Sequence, residues 1–417
     1  MTLSLRALTR FLYSYRDQWL PLEVLQERQW FRLKRILQHA FDRSPFYRHK
    51  FREAGIHPSD LQDASDLARV PITTREELHN SENLIASGYS ASRMKCSLTS
   101  GSTGRVTRTY FDSQAWLMGK FFLKFRARFA CGVRPWDKIA IFQEGLQANR
   151  WLRQRFFRQT RFSIFENIAN ILPELVRFSP TVLYGFPSYL LRLSETAHAL
   201  ISPRLIFTSG EMLDGDTRRT IESRFSAPIL DVYGSTELKE IAWECPARHG
   251  YHINADWLVV ETLKANEHER SMDGVLLVTS LYNFGMPLIR YEIGDTGRLL
   301  PSSCSCGRGL PLMTPCLGRS VDYFVLPSGA QVSPYEMTCA VEVVDGMRQY
   351  QIVQEAPSRV VVNVVPHQGI DGSTKQQIKS ALGPILNGVE LEVRFVDEIE
   401  RERSGKYRIV MSQVTGN

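Results

Sequence analysis

The spacing of apolar residues changes along the chain and predicts different secondary structure in different regions. Residues up to about 80 are expected to be mainly helical, because apolar positions in residues 22–40 recur three and four apart until Ser44 and Pro45 interrupt them. Between residues 96 and 208, helical stretches alternate with short apolar runs such as residues 138–142. That alternation is typical of an α/β sheet.

Polar motifs follow two of the predicted strands. The apolar runs at residues 203–208 and 228–232 end directly before Ser209 and Tyr233. Open α/β sheets bind their ligands beyond the carboxyl ends of the strands. These two motifs are therefore expected to lie at a ligand site.

The pattern becomes β-rich after Gly274, with strands predicted at residues 275–280 and 288–291. Beyond about residue 318 it changes to a small α+β pattern. The predicted elements there are strands at residues 351–353, 360–365 and 391–396 and a helix at residues 374–382. We therefore predict an α/β protein with a large multi-sheet N-terminal domain, residues 1–317, and a small mobile α+β C-terminal domain, residues 318–417.

Composition narrows the class of protein. The 417 residues are 43% hydrophobic, which suffices for a large core and more than one domain. A run of about eighteen apolar residues does not occur, so we expect no membrane span, and the first twenty residues do not resemble a secretory signal. Seven cysteines, an odd number, favour a reducing cytoplasmic location over a disulfide framework.

The formal net charge of +7 is compatible with three kinds of partner, namely nucleic acid, an anionic membrane face, and small polyanionic substrates. A group of arginines with aromatic residues between them could be a platform for single-stranded nucleic acid. Its arginines are Arg150, Arg153, Arg155, Arg158 and Arg161. An amphipathic helix with a solvated basic face is the favoured interpretation, so no nucleic-acid partner is expected. A basic surface also suits ATP and coenzyme A (CoA).

Four polar motifs follow one another in the chain, each of a type that binds phosphate, ribose or a cation. They are Thr99-Ser100-Gly101-Ser102-Thr103-Gly104, Tyr233-Gly234-Ser235-Thr236-Glu237, the segment from Arg290 to Gly294-Asp295, and Arg403-Ser404-Gly405-Lys406. Glycines let backbone N–H groups approach phosphates, and hydroxyls add hydrogen bonds. The first motif lacks the Gly-Lys-Ser/Thr of a P-loop, and taken alone it could be a polar surface turn.

In this order the motifs resemble those of the adenylate-forming superfamily of acyl-CoA ligases, peptide-synthetase adenylation domains and luciferases. Within it, the chain is similar to the phenylacetate-CoA ligase branch, including its capsule-biosynthesis-type relatives. Further local matches lie at residues 44–48, 70–73, 186–189, 209–211 and 318–319. The resemblance implies an enzyme that activates a carboxylic acid with ATP and Mg²⁺.

The resemblance also implies which residues bind the nucleotide. The loop from Thr99 to Gly104 would cradle the pyrophosphate end of ATP. The adenine side would be formed by Ser209, Gly210, Glu211 and Tyr233, with Asp231, Gly234 and Ser235 completing the nucleotide-binding set.

The remaining roles concern catalysis and the ribose. Thr236 would hold the α-phosphate, and Glu237 would ligate Mg²⁺, which prefers carboxylate oxygen. Asp295 would accept the ribose hydroxyls, with Arg319 as a second ribose contact. Lys406 would reach the α-phosphate and the substrate carboxylate as charge develops there.

Three departures from the family pattern affect these expectations. Val321 stands where relatives have an acidic residue or lysine in the hinge, and Arg105-Val106-Thr107 replaces a common Lys-Pro after the phosphate loop. Residues 143–147 replace a glycine- and aromatic-rich stretch. The acid and the acceptor are therefore left open by the sequence.

An acyl pocket is predicted from Tyr184, Gly185, Phe186 and Pro187, which follow an apolar strand and precede a helix. Ordinary core packing of the two aromatic side chains is the alternative interpretation.

A second constellation has the spacing of a metal site. Cys245 and His252 form one short segment, and Cys304 and Cys306 form another. Structural Zn²⁺ is commonly held by four such ligands from two segments. The substitutes are His249 and Cys316, and the other cysteines, Cys96, Cys131 and Cys339, are expected to be core residues. Some members of the resembled branch carry a similar pattern with bound zinc, while buried reduced cysteines are the alternative.

The sequence thus favours an AMP-forming ligase that makes an acyl-adenylate from a carboxylic acid, expected to be aromatic, and transfers the acyl group to CoA. One alternative is transfer to an amine or hydroxyl acceptor in polysaccharide or secondary-metabolite biosynthesis. The other is a nucleotide-binding protein without catalysis. A homodimer is an expectation from relatives alone.

Overall fold

The computed structural model describes residues 12–99, 107–143, 158–213, 215–263, 274–314, 324–329, 331–332, 337–338, 340–341, 344, 347–366, 372–399 and 410–414. They form two compact units. The first unit contains the described parts of residues 1–99, 107–134 and 230–319, and the second contains those of 135–229 and 320–417. The predicted boundary near residue 318 stays a prediction.

The first unit begins with helices. They are α1 (Leu22–Arg43), α2 (Pro45–Glu53), α3 (Arg75–Leu78), α4 (Ser113–Leu117) and α5 (Lys124–Ala130), with a π-helical segment at Met118–Leu123 and short 3₁₀ turns at Pro58–Asp60, Ala64–Arg69, Ser81–Leu84 and Ala91–Arg93. The break predicted at Ser44 is confirmed, because its hydroxyl accepts the Tyr47 N–H and Pro45 occupies the first position of α2.

The strands of the first unit are antiparallel. They are the hairpin of β1 (Lys95–Thr99) and β2 (Thr107–Phe111), then β7 (Ile229–Ser235), β8 (Lys239–Glu244), β9 (Tyr251–Ile253), β10 (Leu258–Leu263), β11 (Gly274–Ser280), β12 (Tyr291–Gly297), β13 (Leu299–Leu300) and β14 (Leu312–Met313). One set runs in the order β13-β14-β9-β8-β7, and β10-β11-β12 forms a second.

The strand predicted at residues 288–291 was wrong in its extent, because β12 begins only at Tyr291. Arg290 has a φ of 44°, a left-handed conformation that cannot continue a strand. Its guanidinium donates to the Ala68 and Val70 carbonyls and pairs with Glu261 at 3.1 Å. These contacts hold the turn that starts β12.

The second unit contains the parallel strands. β3 (Lys138–Gln143), β4 (Arg158–Ser163), β5 (Val182–Gly185) and β6 (Leu205–Ser209) pair in the order β6-β5-β3-β4. In the chain, α6 (Ile168–Phe178) lies between β4 and β5, α7 (Pro187–Ala197) lies between β5 and β6, and α8 (Gly215–Phe225) follows β6. A buried cluster that includes Phe142, Tyr189 and Ile206 packs the helices on the strands. The alternation predicted from the sequence is confirmed.

The prediction of a basic amphipathic helix was wrong for two of its five arginines. Arg158 and Arg161 lie on strand β4 with exposed side chains, while Arg150, Arg153 and Arg155 lie outside the described residues.

The C-terminal part of the chain has a core of its own. Its elements are β15 (Phe324–Val325), β16 (Gln331–Val332), β17 (Met347–Ala356), β18 (Arg359–Pro366), α9 (Gly372–Leu382), β19 (Glu390–Phe395) and β20 (Val410–Ser412). Four of the strands pair in the order β19-β18-β17-β20. Residues such as Ile352, Val362 and Ile378 are fully buried there. The predicted α+β pattern, including a helix near residues 374–382, is confirmed.

None of the helices in the described ranges is both long and apolar enough to cross a membrane. The predicted fold class, α/β with several sheets, is confirmed.

Candidate functional site

The predicted adenine and ribose residues of the first unit lie together. Tyr233 is near the end of β7, and Asp295 is on β12. The Tyr233 hydroxyl donates to Asp295 Oδ2 at 2.9 Å. The structure therefore brings together two residues that are 62 positions apart in the chain.

Glu237 lies in the turn between β7 and β8 and is buried, with 7% of its surface exposed. The Tyr291 hydroxyl donates to its Oε1 at 3.3 Å, and Tyr291 starts the strand that carries Asp295. A carboxylate buried near the end of a strand is expensive to desolvate unless it is hydrogen-bonded or binds a cation. Glu237 has the chemistry of a Mg²⁺ ligand.

Gly234 and Ser235 shape the turn that carries Glu237. A Cβ on Gly234 would lie 2.4 Å from the Lys239 carbonyl oxygen, so only glycine fits there. The Ser235 hydroxyl accepts the Leu238 N–H at 3.1 Å and closes the turn around Thr236.

Two of the family-like N-terminal segments support β12. Thr73 pairs with Tyr291, and its N–H donates to the Arg290 carbonyl at 3.1 Å. The Tyr47 and Thr73 hydroxyls lie 3.1 Å apart, and Tyr47 Oη accepts the Ile289 N–H at 3.0 Å. These residues hold the strand that bears Asp295, the predicted ribose ligand.

Asp231 is placed differently from the other predicted nucleotide residues. It is buried within β7, and the Tyr251 hydroxyl donates to its Oδ2 at 2.7 Å. Its N–H donates to Glu244 Oε2 at 3.1 Å. Asp231 is thus bonded across the strands that pack beside it, and its role toward a nucleotide stays a prediction.

In the second unit, the predicted acyl and adenine segments lie side by side at the carboxyl ends of β5 and β6. The Tyr184 and Ser209 hydroxyls lie 2.8 Å apart. Glu211 accepts both the N–H and the hydroxyl of Ser188 at 3.0 Å each, at the start of α7.

Gly210 lies between these two contacts and has a φ of 86°, where a side chain is strained. A Cβ at this position would meet Phe186 at 2.7 Å. Gly185 is buried and Pro187 occupies the first turn of α7, so the four predicted pocket residues form one strand-to-helix connection. The two aromatic side chains remain half-buried.

Lys239 lies in the same turn region as Glu237, but none of the sequence motifs pointed to it as a functional residue. Its ammonium donates to Ser97 Oγ at 2.7 Å and to the Thr236 carbonyl at 2.8 Å. Burial outweighs the attraction of Glu237 and lowers the pKa of Lys239 to about 8. The only signal in the sequence is its position two residues after Glu237.

The four preferred metal ligands lie together in the first unit. Cys245 follows β8, His252 is on β9, and Cys304 and Cys306 lie between β13 and β14. Their ligand atoms all lie within 4.8 Å of one another. Cys245 Sγ is 3.6 Å from Cys304 Sγ, and Cys306 Sγ is 3.3 Å from His252 Nε2.

These distances fit tetrahedral zinc. With Zn–S bonds of about 2.3 Å and Zn–N bonds of about 2.0–2.1 Å, neighbouring sulfurs lie roughly 3.8 Å apart and a sulfur and a nitrogen roughly 3.6 Å apart. Burial lowers the pKa of His252 to about 4, with Arg308 acting in the same direction. The imidazole is therefore neutral at neutral pH.

The surroundings of this Cys/His cluster are well packed. Arg308 lies 4.4 Å from the Trp19 ring and donates to Gln18 at 2.8 Å. His249, a predicted substitute, is a neighbour whose Nδ1 accepts the Ser305 N–H at 3.4 Å.

The other cysteines differ from one another. Cys131 is buried as predicted, whereas Cys96 is exposed, so its assignment to the core was wrong. It lies on β1 and pairs with Tyr110 of β2.

Several predicted residues lie outside the described ranges. They are Ser100, Gly101, Ser102, Thr103, Gly104, Cys316, Arg319, Val321, Cys339 and Lys406, together with the side chain of Thr99. Their roles stay predictions.

Known proteins resemble this chain along most of its length. The family model of the CapK C-terminal domain matches residues 324–413. The phenylacetate-coenzyme A ligase of Pseudomonas putida is 29% identical over 341 residues, which cover 76% of this chain and 75% of the relative. The ligase of the same name from Thermus thermophilus is 28% identical and covers 82% of this chain and 81% of its own. Protein CapK of Staphylococcus aureus is 24% identical over 60% of this chain and 56% of its own.

The fold likeness extends further. A crystal structure of 2-hydroxyisobutyryl-CoA ligase in complex with 2-HIB-AMP and CoA has a TM-score of 0.67 at 23% identity, covering 95% of this chain and 91% of that one. The chain is thus similar in sequence to phenylacetate-coenzyme A ligases and to protein CapK, and similar in fold to an acyl-CoA ligase.

Proposed function

We propose that the protein is an AMP-forming acid–CoA ligase, which activates a carboxylic acid with ATP and transfers the acyl group to CoA. The single observation that carries this proposal is the hydrogen bond from Tyr233 to Asp295 at 2.9 Å, with the buried Glu237 in the turn that follows the strand of Tyr233. The names of the similar ligases from Pseudomonas putida and Thermus thermophilus support the same reaction.

The pairing suits a nucleoside. A carboxylate offers about four acceptor positions, so Asp295 can accept ribose hydroxyls in addition to the Tyr233 hydroxyl. The hydrogen bond from the Tyr233 hydroxyl to Asp295 fixes the orientation of the Tyr233 ring. A ring whose orientation is fixed can pack against adenine at a low entropic cost.

The proposed reaction has two steps, adenylation of the acid and transfer of the acyl group to CoA. A carboxylate oxygen of the acid attacks the α-phosphorus of ATP, a new P–O bond forms, and the bond to the β-phosphate breaks with release of pyrophosphate. The thiol sulfur of CoA then attacks the acyl carbon, a C–S bond forms, the C–O bond to AMP breaks, and the thiol proton leaves to solvent or a base. Thr236 and Lys406 would hold the α-phosphate region, and Asp295 and Arg319 the ribose.

Two metals fit the donor sets. Glu237 would hold Mg²⁺, which neutralises phosphate charge. Cys245, His252, Cys304 and Cys306 would hold a structural Zn²⁺, since four protein ligands leave no open position for chemistry.

The acid is proposed to be aromatic and the acceptor CoA. The half-buried Tyr184 and Phe186 side chains at the end of β5 support an aromatic acid. An amine or hydroxyl acceptor is an alternative that the experiment below separates from CoA.

The test is acid-dependent ATP–pyrophosphate exchange across a panel of aromatic and aliphatic acids. Acyl transfer is then compared with CoA, hydroxylamine and amines as acceptors. Exchange with at least one acid, followed by thioester formation, is the expected result. Lys406→Ala should abolish exchange while leaving ATP binding within several-fold, because the lysine acts as charge shifts to the α-phosphate. Exchange without thioester formation would favour another acceptor, and nucleotide binding without exchange would favour a protein that has lost catalysis.

A further inference from the structure

We propose that Lys239 is a positioning residue for the proposed reaction, because its ammonium joins strand β1 to the turn that carries Thr236 and Glu237. This inference rests on the proposed function. Neither the motifs nor the family resemblance assigns a role to this lysine.

The hydrogen bonds of the ammonium join two separate segments. Lys239 Nζ donates to Ser97 Oγ on β1 at 2.7 Å and to the Thr236 carbonyl oxygen at 2.8 Å. The last residue of β1, Thr99, opens the Ser/Thr/Gly motif, and Thr236 directly precedes Glu237. One cation therefore connects the two segments that are expected to bind the phosphates of ATP.

The stem of Lys239 is fixed by close packing. A Cβ on Gly119 would lie 2.6 Å from Lys239 Cγ, so the absence of a side chain at position 119 makes room for the stem. Gly119 lies in the π-helical segment Met118–Leu123, and π-helical turns are frequent at functional sites. The ammonium also lies 4.4 Å from the Phe111 ring and 5.4 Å from that of Trp116.

The backbone of Lys239 points to the same conclusion. Its φ of 61° is left-handed, a conformation that glycine adopts without strain and a lysine does not. Strained residues persist where the surroundings over-determine them, and they cluster at functional sites. Here the side chain supplies contacts that a glycine would lack.

Fixed spacing between the two segments matters for phosphoryl chemistry. The reacting atoms must approach in line, and a displacement of about 1 Å can cost roughly a hundredfold in rate. Lys239 orients the Thr236 peptide group and the start of the phosphate motif before the nucleotide enters. It acts through these residues and is not assigned a contact to the substrate.

The experiment compares three single variants and one double variant in the full-length protein. Lys239→Met keeps an unbranched stem and the same backbone strain but removes the ammonium. Ser97→Ala removes one of its two acceptors. Lys120→Met is the matched control, because this exposed lysine lies 4.5 Å from the same Trp116 ring but is not assigned to either segment.

The expected result separates positioning from general stability. Lys239→Met should lower kcat of ATP–pyrophosphate exchange by about 10- to 100-fold and raise KM for ATP, with KM for the acid unchanged. It should also weaken calorimetric binding of a non-hydrolysable ATP analogue. Ser97→Ala should have a smaller effect of the same kind, and the double variant should be no worse than Lys239→Met alone. Lys120→Met should stay within about twofold of the unmodified protein.

Failure of the proposed function and failure of the role proposed for Lys239 give different experimental results. If the unmodified protein exchanges pyrophosphate with no acid, the proposed function is wrong, and the role of Lys239 with it. If the unmodified protein is active and Lys239→Met changes both KM values equally, or changes only the thermal midpoint, the role of Lys239 alone is wrong. Additive effects of Lys239→Met and Ser97→Ala on KM for ATP would also overturn it.

Discussion

Two polar regions of the first unit differ in how they are held together. In the Cys/His cluster, the ligand atoms of Cys245, His252, Cys304 and Cys306 face one another within 4.8 Å. In the predicted nucleotide region, Asp295 and Glu237 each accept a hydrogen bond from a tyrosine hydroxyl. The stability of a Cys/His cluster that binds a metal depends on that ion, whereas tyrosine–carboxylate pairs are hydrogen-bonded within the protein. The first region is thus expected to couple stability to a ligand, and the second to couple affinity to a preformed geometry.

The chain connects the two regions directly. Strand β8 begins two residues after Glu237 and ends one residue before Cys245. On the other side, β12 carries Asp295, and β13 leads on to Cys304. A metal in the cluster would therefore keep the two carboxylates in register by fixing the strands that follow them.

The largest effect is expected for loss of a ligand in the Cys/His cluster, which tests whether the stability of the protein depends on a bound metal. Cys304→Ser should remove about one zinc per chain and lower the unfolding free energy by roughly 4 kcal/mol or more, because the metal binds only the folded form. The thermal midpoint and the activity should fall together. Cys96→Ser, at an exposed cysteine, is the matched control and should change neither metal content nor melting. Metal-free protein with unchanged melting would assign these cysteines to the core only.

The second-largest effect is expected for substitutions in the predicted nucleotide region. Asp295→Ala should weaken binding of ATP and AMP by about 1–3 kcal/mol, because the ribose hydroxyls lose their acceptor. Tyr233→Phe removes only the bond that orients the ring and the carboxylate, so it should cost about 1 kcal/mol. Calorimetric titration with AMP measures both. Equal affinities for all three proteins would show that this pair does not hold the ribose.

A smaller effect is expected at the candidate Mg²⁺ ligand. Tyr291→Phe deletes the hydroxyl that donates to Glu237, so the magnesium concentration for half-maximal exchange should change by about three- to tenfold, equivalent to about 1 kcal/mol. Tyr110→Phe is the matched control, since it deletes a comparable tyrosine–carboxylate bond of 3.2 Å to Glu82. A similar change of magnesium dependence in both variants would argue against a specific role for Glu237.

The smallest effect concerns pH. Burial raises the pKa of Glu77, but its bonds from Lys50 and Thr74 outweigh burial and lower it. Because the folded pKa lies below the unfolded value of about 4.3, this contribution is present above that pH and is lost as the pH falls through the folded pKa. Lys50 also donates to the Ile72 carbonyl at 2.5 Å, next to the residue that pairs with β12.

Glu77→Gln should therefore flatten the acid limb of the stability curve. The difference should be below about 1 kcal/mol, because the carboxylate is partly exposed and solvent screens the pair. Chemical denaturation between pH 3 and pH 6 measures it. Parallel curves for the two proteins would show that Glu77 does not contribute to acid sensitivity.

Local patterns predicted much of the fold. The helix broken at Ser44, the alternation of β5, α7 and β6, and the C-terminal helix α9 all follow from periodicity and turn residues. The errors fall where neighbours in space override local preference. Arg290 delays the start of β12 because its side chain is held by carbonyls 220 and 222 positions away in the chain. Arg158 and Arg161 belong to a strand because β4 pairs with β3.

The candidate site shows the same division. The sequence by itself determined which residue types are present and in which order. These sufficed to predict the family resemblance, the nucleotide motifs and the Cys/His cluster, because the chemistry of glycine, cysteine and acidic side chains belongs to the residue type itself. Only the tertiary structure decided that Tyr233 bonds to Asp295 and that Lys239 joins Ser97 to Thr236. Such contacts depend on strand register and on space such as that above Gly119, and neither is encoded in local spacing.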